Sequence, residues 1–376
     1  MKIVIAGTHF TPAQATIEEL TKNPDHKVVY LGRGTTLEGD STPSVESIVL
    51  PKIGIKFIPI IAGRLQRSFT MYTIPSLFKI PVGFLQAFYF LIKEKPDVVV
   101  SYGGYIGLPV VIAAWLLSVP IIVHQQTLVA GLATQISSIF ASKIAVSFKQ
   151  SLNKSPKWVL TGNPIRKKLL EPDSKISTDI KNFIHQANGA KLPIILITGG
   201  NQGSHFINQL FLKVLNDLLK VTFVIHQTGD SLFKDFDQLC EIRQTLKYQE
   251  RYLLKKWINA SDWCEILKEA SLAITRGGVN TLSELAYFGT PLLIIPIPYL
   301  YQDEQNKNAK FFAELGLARV LPQSEVTAKK MLETIYEMLD NLDDYKKNAL
   351  KAREFIIVDA AKRLAQEVIL LGEKNV

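Results

Sequence analysis

The residues able to do chemistry fall at a few glycine-containing turns and in one isolated histidine. Residues 272–296 read LAITRGGVNTLSELAYFGTPLLIIP, an apolar strand, a turn at Arg276-Gly277-Gly278, a helix holding Glu284, and a second apolar strand. A turn of this kind at a strand's carboxyl end exposes backbone N–H groups at a helix N-terminus, and a nucleotide diphosphate is the expected guest. Glu284 lies early enough in the helix to accept hydrogen bonds from two neighbouring hydroxyls, as a ribose presents them. The plainer alternative is that the glycines only permit a tight turn and the glutamate only complements the helix dipole. A second candidate phosphate cradle is Gly199-Gly200-Asn201-Gln202-Gly203-Ser204. Residues 301–306, YQDEQN, cluster amides and carboxylates that suit sugar hydroxyls or a solvated loop. His9 follows the first strand, where a histidine serves as a general base if a hydroxyl comes within reach.

The elements that must position these groups repeat one pattern. Strands are expected at residues 2–6, 27–31, 97–101, 120–124 and 143–148, with helices between them, including 12–20, 108–117 and 131–140. The segment Gly162-Asn163-Pro164-Ile165-Arg166 closes this half, and residues 167–191 read as polar surface structure. Strands at 193–198, 222–226, 272–275 and 292–296 restart the pattern, and helices at 326–339, 343–353 and 360–371 end it. Continuous apolar strands alternating with helices predict an α/β class with doubly wound parallel sheets. A length of 376 residues exceeds what one core usually organises, so two domains are expected.

Net charge is +9 and the hydrophobic fraction 47%. Residues 1–163 hold 15 Lys and Arg against 8 Asp and Glu, so the basic excess belongs to the first domain. Such an excess fits an anionic lipid surface or a phosphorylated substrate; no interleaved Arg and aromatic platform argues for nucleic acid. Cys240 and Cys264 lack metal-site or disulfide spacing, and MKIVIAG enters a strand without signal-peptide features, which points to the cytoplasm. Residues 64–95 are the most hydrophobic stretch, broken by Pro75, Lys79 and Pro81, with Arg64, Arg67, Lys93 and Lys95 around it. A bilayer-spanning helix is not expected; a helix near 82–92 either lies in the interface of an anionic membrane or belongs to the core.

Four segments in order, SYGGYIGLP (101–109), GNPIR (162–166), GGNQGSHFIN (199–208) and RGGVNTLSEL (276–285), resemble the signatures of the MurG family, peripheral-membrane glycosyltransferases that convert lipid I to lipid II. The resemblance runs, with gaps, from residue 2 to about 322. It implies a GT-B fold, two Rossmann-like doubly wound domains facing a cleft: an acceptor and membrane domain at 1–163, joined by a terminal helix at about 355–376, and a donor domain at 164–354. The implied partners are UDP-N-acetylglucosamine, a polyprenyl-diphosphate-linked acceptor and an anionic membrane at the cytoplasmic face, with neither metal nor cofactor.

By position, Glu284 would bind the ribose and Arg276, Gly277 and Gly278 would form the turn beside the nucleotide. Asn201, Gln202 and Arg166 would approach the diphosphate, and Glu304 and Gln305 would hold the sugar. His9 would be the general base. Thr8, Gly103, Gly104, Tyr105 and Thr127 would line the acceptor site, and Ile74, Leu77, Phe78, Lys79, Phe84 and Trp115 the membrane patch. The chain departs from the pattern in its first loop, usually GGTGGH and here Gly7-Thr8-His9, and at His124-Gln125-Gln126-Thr127, usually HEQN. Ser is usual at 201, and Gln at 304. A transferase with another lipid acceptor, a silent UDP-sugar-binding homologue and a UDP-sugar epimerase are the competing readings.

Overall fold

A computed structural model describes the chain except residues 36–42, 62, 64–72, 171–175, 201, 231–232 and 375–376; of 73–77 and 168 only the backbone is described. The chain divides into two compact units, residues 1–166 with 357–376, and residues 167–356.

The first unit holds strands β1 (Lys2–Ala6), β2 (Lys27–Gly32), β3 (Lys56–Pro59), β4 (Val98–Ser101), β5 (Ile121–Gln125), β6 (Lys143–Val146) and β7 (Trp158–Leu160). They form one sheet in the order β3-β2-β1-β4-β5-β6-β7, every pairing parallel. Successive side chains of a strand point to opposite faces, so each strand feeds two cores. Ile3, Ile5, Val98 and Val100 join Phe10, Ile17, Leu364 and Val368 on one side. Val4, Ala6 and Val99 join Ala87, Leu91, Val110 and Val111 on the other. That double burial is why these strands read as unbroken apolar runs rather than as alternation.

The second unit holds β8 (Ile194–Thr198), β9 (Phe223–Gln227), β10 (Tyr252–Lys255), β11 (Ala270–Thr275), β12 (Leu292–Ile294) and β13 (Ala318–Val320), again all parallel, in the order β10-β9-β8-β11-β12-β13. In both sheets the strand order reverses beside the first strand. The crevices at β1/β4 and β8/β11 are therefore the switch points at which such sheets bind ligands.

Three expectations need correction. Residues 167–191 are not merely polar surface: helix Thr178–Ala190 buries Ile180, Phe183, Ile184 and Ala187 along one face. The helix expected near 82–92 spans Thr73–Glu94 and runs through Pro81. A mid-helix proline costs about 3 kcal/mol, offset here by burial of Ala87 and Leu91. Residues 301–306 are not all loop, because helix Glu304–Glu314 begins inside them.

Candidate active site

At the β8/β11 switch point a cavity of about 480 Å³ is lined by the loop after β8, by Arg276 and Gly278, and by residues including Phe233, Thr281, Ile297, Tyr299 and Gln323. The loop can turn this tightly because Gly200 and Gly203 take φ of 83° and 74°. A Cβ on Gly203 would overlap the Thr228 carbonyl, so only glycine fits. The loop ends at Ser204, whose hydroxyl caps helix His205–Leu212 by accepting from the Ile207 N–H. The helix thus aims its N-terminal partial positive charge at the cavity. Gln202 lines the same space; Asn201 lies outside the described residues.

Arg276 is a structural as well as an electrostatic part of the wall. Only 7% exposed, it donates from Nε to Ser204 Oγ (2.9 Å) and from Nη1 to the Ile295 carbonyl (3.0 Å) and Gln323 Oε1 (2.8 Å). These partners are neutral, and burial pushes its pKa down to about 10, which leaves the guanidinium charged at neutral pH. Gln305 braces the neighbouring turn: its Oε1 accepts from the N–H groups of Gly277 and Ile297, both at 3.0 Å. A Cβ on Gly277 would overlap the Gln305 backbone.

Glu284 sits one turn beyond Thr281 on helix Val279–Phe288, 5% exposed, with its Oε2 accepting from Trp263 Nε1 at 2.9 Å. Trp263 is held by helix Ala260–Glu269, which Asn259 caps. Glu304 opens helix Glu304–Glu314, after Gln302 and Asp303 in left-handed conformations, and burial pushes its pKa up to about 7.

In the first unit the turn after β1 is three residues long, Gly7 to His9, and His9 takes the N-cap position of helix Phe10–Leu20. The turn after β4 places Gly103 at the N-cap of helix Gly104–Leu116, with Tyr105 in its first turn. The two turns touch: the Thr8 N–H donates to the Gly103 carbonyl at 3.3 Å, and a Cβ on Gly104 would overlap Thr8 Oγ1. His9, Thr8, Gly103 and Gly104 are thus brought together at the β1/β4 crevice. Burial, and after it the charges of Arg33 and His124, push the His9 pKa down to about 4, so its imidazole is neutral at working pH. His124 is fully buried and neutral for the same first reason, with Nε2 against the Gly162 carbonyl at 3.1 Å. Thr127 is buried and donates its hydroxyl proton to the Val129 carbonyl at 2.7 Å.

Along helix Thr73–Glu94 the exposed Phe78, Val82, Leu85, Tyr89 and Ile92 recur at helical spacing and form one apolar stripe. Phe78 is 72% exposed, and Trp115 on helix Gly104–Leu116 is 51% exposed. Lys79 falls on the same helix, and the Ile74 and Leu77 side chains lie outside the described residues. Phe84 flanks this stripe: half-buried, it packs against Phe88 and the core, because helical periodicity sets 84, 88 and 91 to one side of the exposed row. Among the described residues no helix is long and apolar enough to cross a membrane.

Residues 3–146 match the glycosyltransferase family 28 N-terminal domain, and residues 194–364 match its C-terminal domain. The UDP-N-acetylglucosamine--N-acetylmuramyl-(pentapeptide) pyrophosphoryl-undecaprenol N-acetylglucosamine transferase of Clostridium botulinum is 31% identical across 94% of this chain and 95% of its own. The enzyme of the same name from Bacillus cytotoxicus is 29% identical over the whole of both chains. MurG of Acinetobacter baumannii superposes with a TM-score of 0.71 at 25% identity, covering 98% of this chain and 99% of that one. The chain belongs to the MurG family of glycosyltransferases. A UDP co-structure of MnaA from Staphylococcus aureus, TM-score 0.70 at 16% identity, shares the fold alone.

For this member of the MurG family, sequence reasoning missed the partners that hold the site residues. Trp263 is 21 residues from Glu284 and on another helix, so no spacing links them. Arg33 ends up electrostatically close to His9 only because β2 pairs with β1 in parallel register. Arg166 follows the first unit's last strand and is half-buried.

Proposed function

We propose that the protein transfers N-acetylglucosamine from UDP-N-acetylglucosamine to undecaprenyl-pyrophosphoryl-N-acetylmuramoyl-pentapeptide, inverting the anomeric carbon, at the cytoplasmic face of the membrane. The observation that carries this reading is the cavity at the β8/β11 switch point, walled by the glycine loop, a helix N-terminus and a buried, charged Arg276. That combination suits a diphosphate, and the curated relatives bear the transferase name over nearly their whole length.

In this reading Glu284 takes the ribose hydroxyls, Gln202, Asn201 and Arg166 approach the diphosphate, and Glu304 and Gln305 hold the sugar. The acceptor hydroxyl oxygen attacks C1 of N-acetylglucosamine as the C1–O bond to the β-phosphate breaks. The electron pair leaves with UDP, and the hydroxyl proton goes to neutral His9. Arg276 and the helix N-terminus stabilise the departing diphosphate. Gly103, Gly104, Thr8, Tyr105 and Thr127 receive the acceptor. The apolar stripe and Trp115, with the basic excess of residues 1–163, supply the membrane contact.

The test is transfer of labelled N-acetylglucosamine to a short-chain lipid I analogue with EDTA present. Wild type should form labelled disaccharide, His9→Ala should lose about 10²–10⁴-fold in rate, and Glu284→Ala should raise the donor KM. No transfer, together with no rise in melting temperature on adding UDP, would sink the reading. The three-residue turn after β1 favours one second reading, a different lipid acceptor; product analysis with lipid I and with diacylglycerol separates the two.

A further inference from the structure

His205 lines the cavity as the first residue of helix His205–Leu212, immediately after the glycine loop, and its placement is set by a buried network. Its Nδ1 meets Asp235 Oδ1 at 2.7 Å, and Asp235 is only 3% exposed. The same carboxylate accepts from Gln209 Nε2 (3.1 Å, Oδ1) and Asn208 Nδ2 (2.9 Å, Oδ2). Asn208 Nδ2 also donates to the Thr228 carbonyl (3.1 Å), so its Oδ1 is the acceptor facing His226 Nε2 (3.0 Å). His226 must then carry its proton on Nε2. Burial keeps that ring neutral, with a pKa pushed down to about 3, and its Nδ1 accepts from the Tyr252 hydroxyl at 2.8 Å. The relay Tyr252–His226–Asn208 therefore donates step by step toward Asp235.

Two consequences follow for His205. Its Nδ1 proton is committed to Asp235, which leaves Nε2 as the nitrogen for a ligand in the cavity. Its ring plane is fixed by stacking on Phe233, with centroids 4.0 Å apart and planes at 15°. On the other side of the adjacent Ser204, Arg276 Nε holds Oγ at 2.9 Å. Two side chains that can bear positive charge thus flank the residue that caps the helix N-terminus.

We propose that His205, oriented by Asp235 and Phe233, gives Nε2 to the donor diphosphate and stabilises it both when bound and as it departs. This rests on the reading above that the second unit binds a nucleoside diphosphate. With the diphosphate in place the ring takes up one proton from solvent, lies between two anions and donates from both nitrogens: Nδ1–H to Asp235 and Nε2–H to a phosphate oxygen. No proton is lost to the leaving group; the bond broken is still C1–O, and the acceptor's proton still goes to His9. Asp235 acts through His205 and is a positioning residue.

Calorimetric titration of the full chain with uridine, UDP and UDP-N-acetylglucosamine tests this. His205→Phe keeps the stacked ring and deletes both nitrogens, and Gln209 and Asn208 still donate to Asp235. The UDP Kd should rise ~10–100-fold, the worth of a charge-assisted hydrogen bond, while the uridine Kd stays within about twofold. Asp235→Asn should lower the UDP-over-uridine preference in the same direction, a change that mere loosening of the fold would not produce. An unchanged UDP Kd overturns the proposal, as does equal weakening of UDP and uridine. Weakening confined to UDP-N-acetylglucosamine overturns it too, by assigning Nε2 to the sugar. If His205→Phe fails to fold, His205→Gln is read by the same ratio. Failure of the wild type to bind UDP would instead overturn the reading of the second unit.

Discussion

At Glu304 two influences on one carboxyl oppose each other. Burial resists its ionisation and moves the pKa to about 7, while its place at the first position of a helix favours the anion. Below pH 7 the group is a neutral acid, with a donor and an acceptor as an amide has; above pH 7 it becomes a half-buried anion beside a site proposed to hold a diphosphate. The donor KM should therefore rise as pH increases from about 6.5 to 8 in the wild type and stay flat in Glu304→Gln. Steady-state kinetics across that range decides it, and a parallel rise in both proteins removes the role. The glutamate in place of the family's usual glutamine is then a change of pH response more than of shape. His9 shows the converse: burial, Arg33 and His124 all keep it unprotonated, as its proposed role of proton acceptor requires.

Among the elements, the two glycine turns differ in what they demand. Gly203 combines φ of 74° with a backbone approach that leaves no room for Cβ, whereas Gly278 has an ordinary φ of −73° and open space around it. Gly203→Ala should cost about 2 kcal/mol or more in stability and abolish the UDP-induced rise in melting temperature. Gly278→Ala should leave the melting temperature of the unliganded protein nearly unchanged. Equal tolerance of both would contradict the steric account. The elements also mark where sequence reasoning stopped. Runs such as IVIA and IILIT, buried on both faces, announce their strands, and β1, β8 and β11 fell where the apolar pattern put them. β3 and helix Val45–Lys52 escaped because KFIP is short and at a sheet edge, and because the helix is weakly amphipathic. Helix Thr178–Ala190 was hidden by charges on its exposed face. The glycine loop and Arg276 could be singled out from sequence as candidates for one site, and they do line one cavity, because turn chemistry is local. The Trp263–Glu284 and His205–Asp235 contacts join separate elements, and only the folded sheet brings them together.

On the scale of the whole molecule, three histidines are stored neutral: His9 and His124 at about 4, and His226 at about 3. All are depressed below the unfolded value near 6.5, so the stability they contribute is complete above about pH 6.5 and is lost as pH falls toward 4. Glu304, raised to about 7, opposes this with one proton against three. The unfolding free energy from urea titrations should fall steadily between pH 6.5 and 4, by up to about 1.4 kcal/mol per pH unit for each histidine, and the midpoints with it. Midpoints that hold level to pH 4.5 would refute the neutral state of these histidines. The chain's path has a consequence of another kind. Helix Ala360–Glu373 buries Leu364, Ala365 and Val368 with Phe10 and Ile17, yet all of residues 167–356 intervene. As the ribosome delivers the polypeptide, the second unit is complete while one face of the first sheet still waits for its cover. The half made first is therefore finished last, and its apolar face is the one a nascent-chain chaperone would meet.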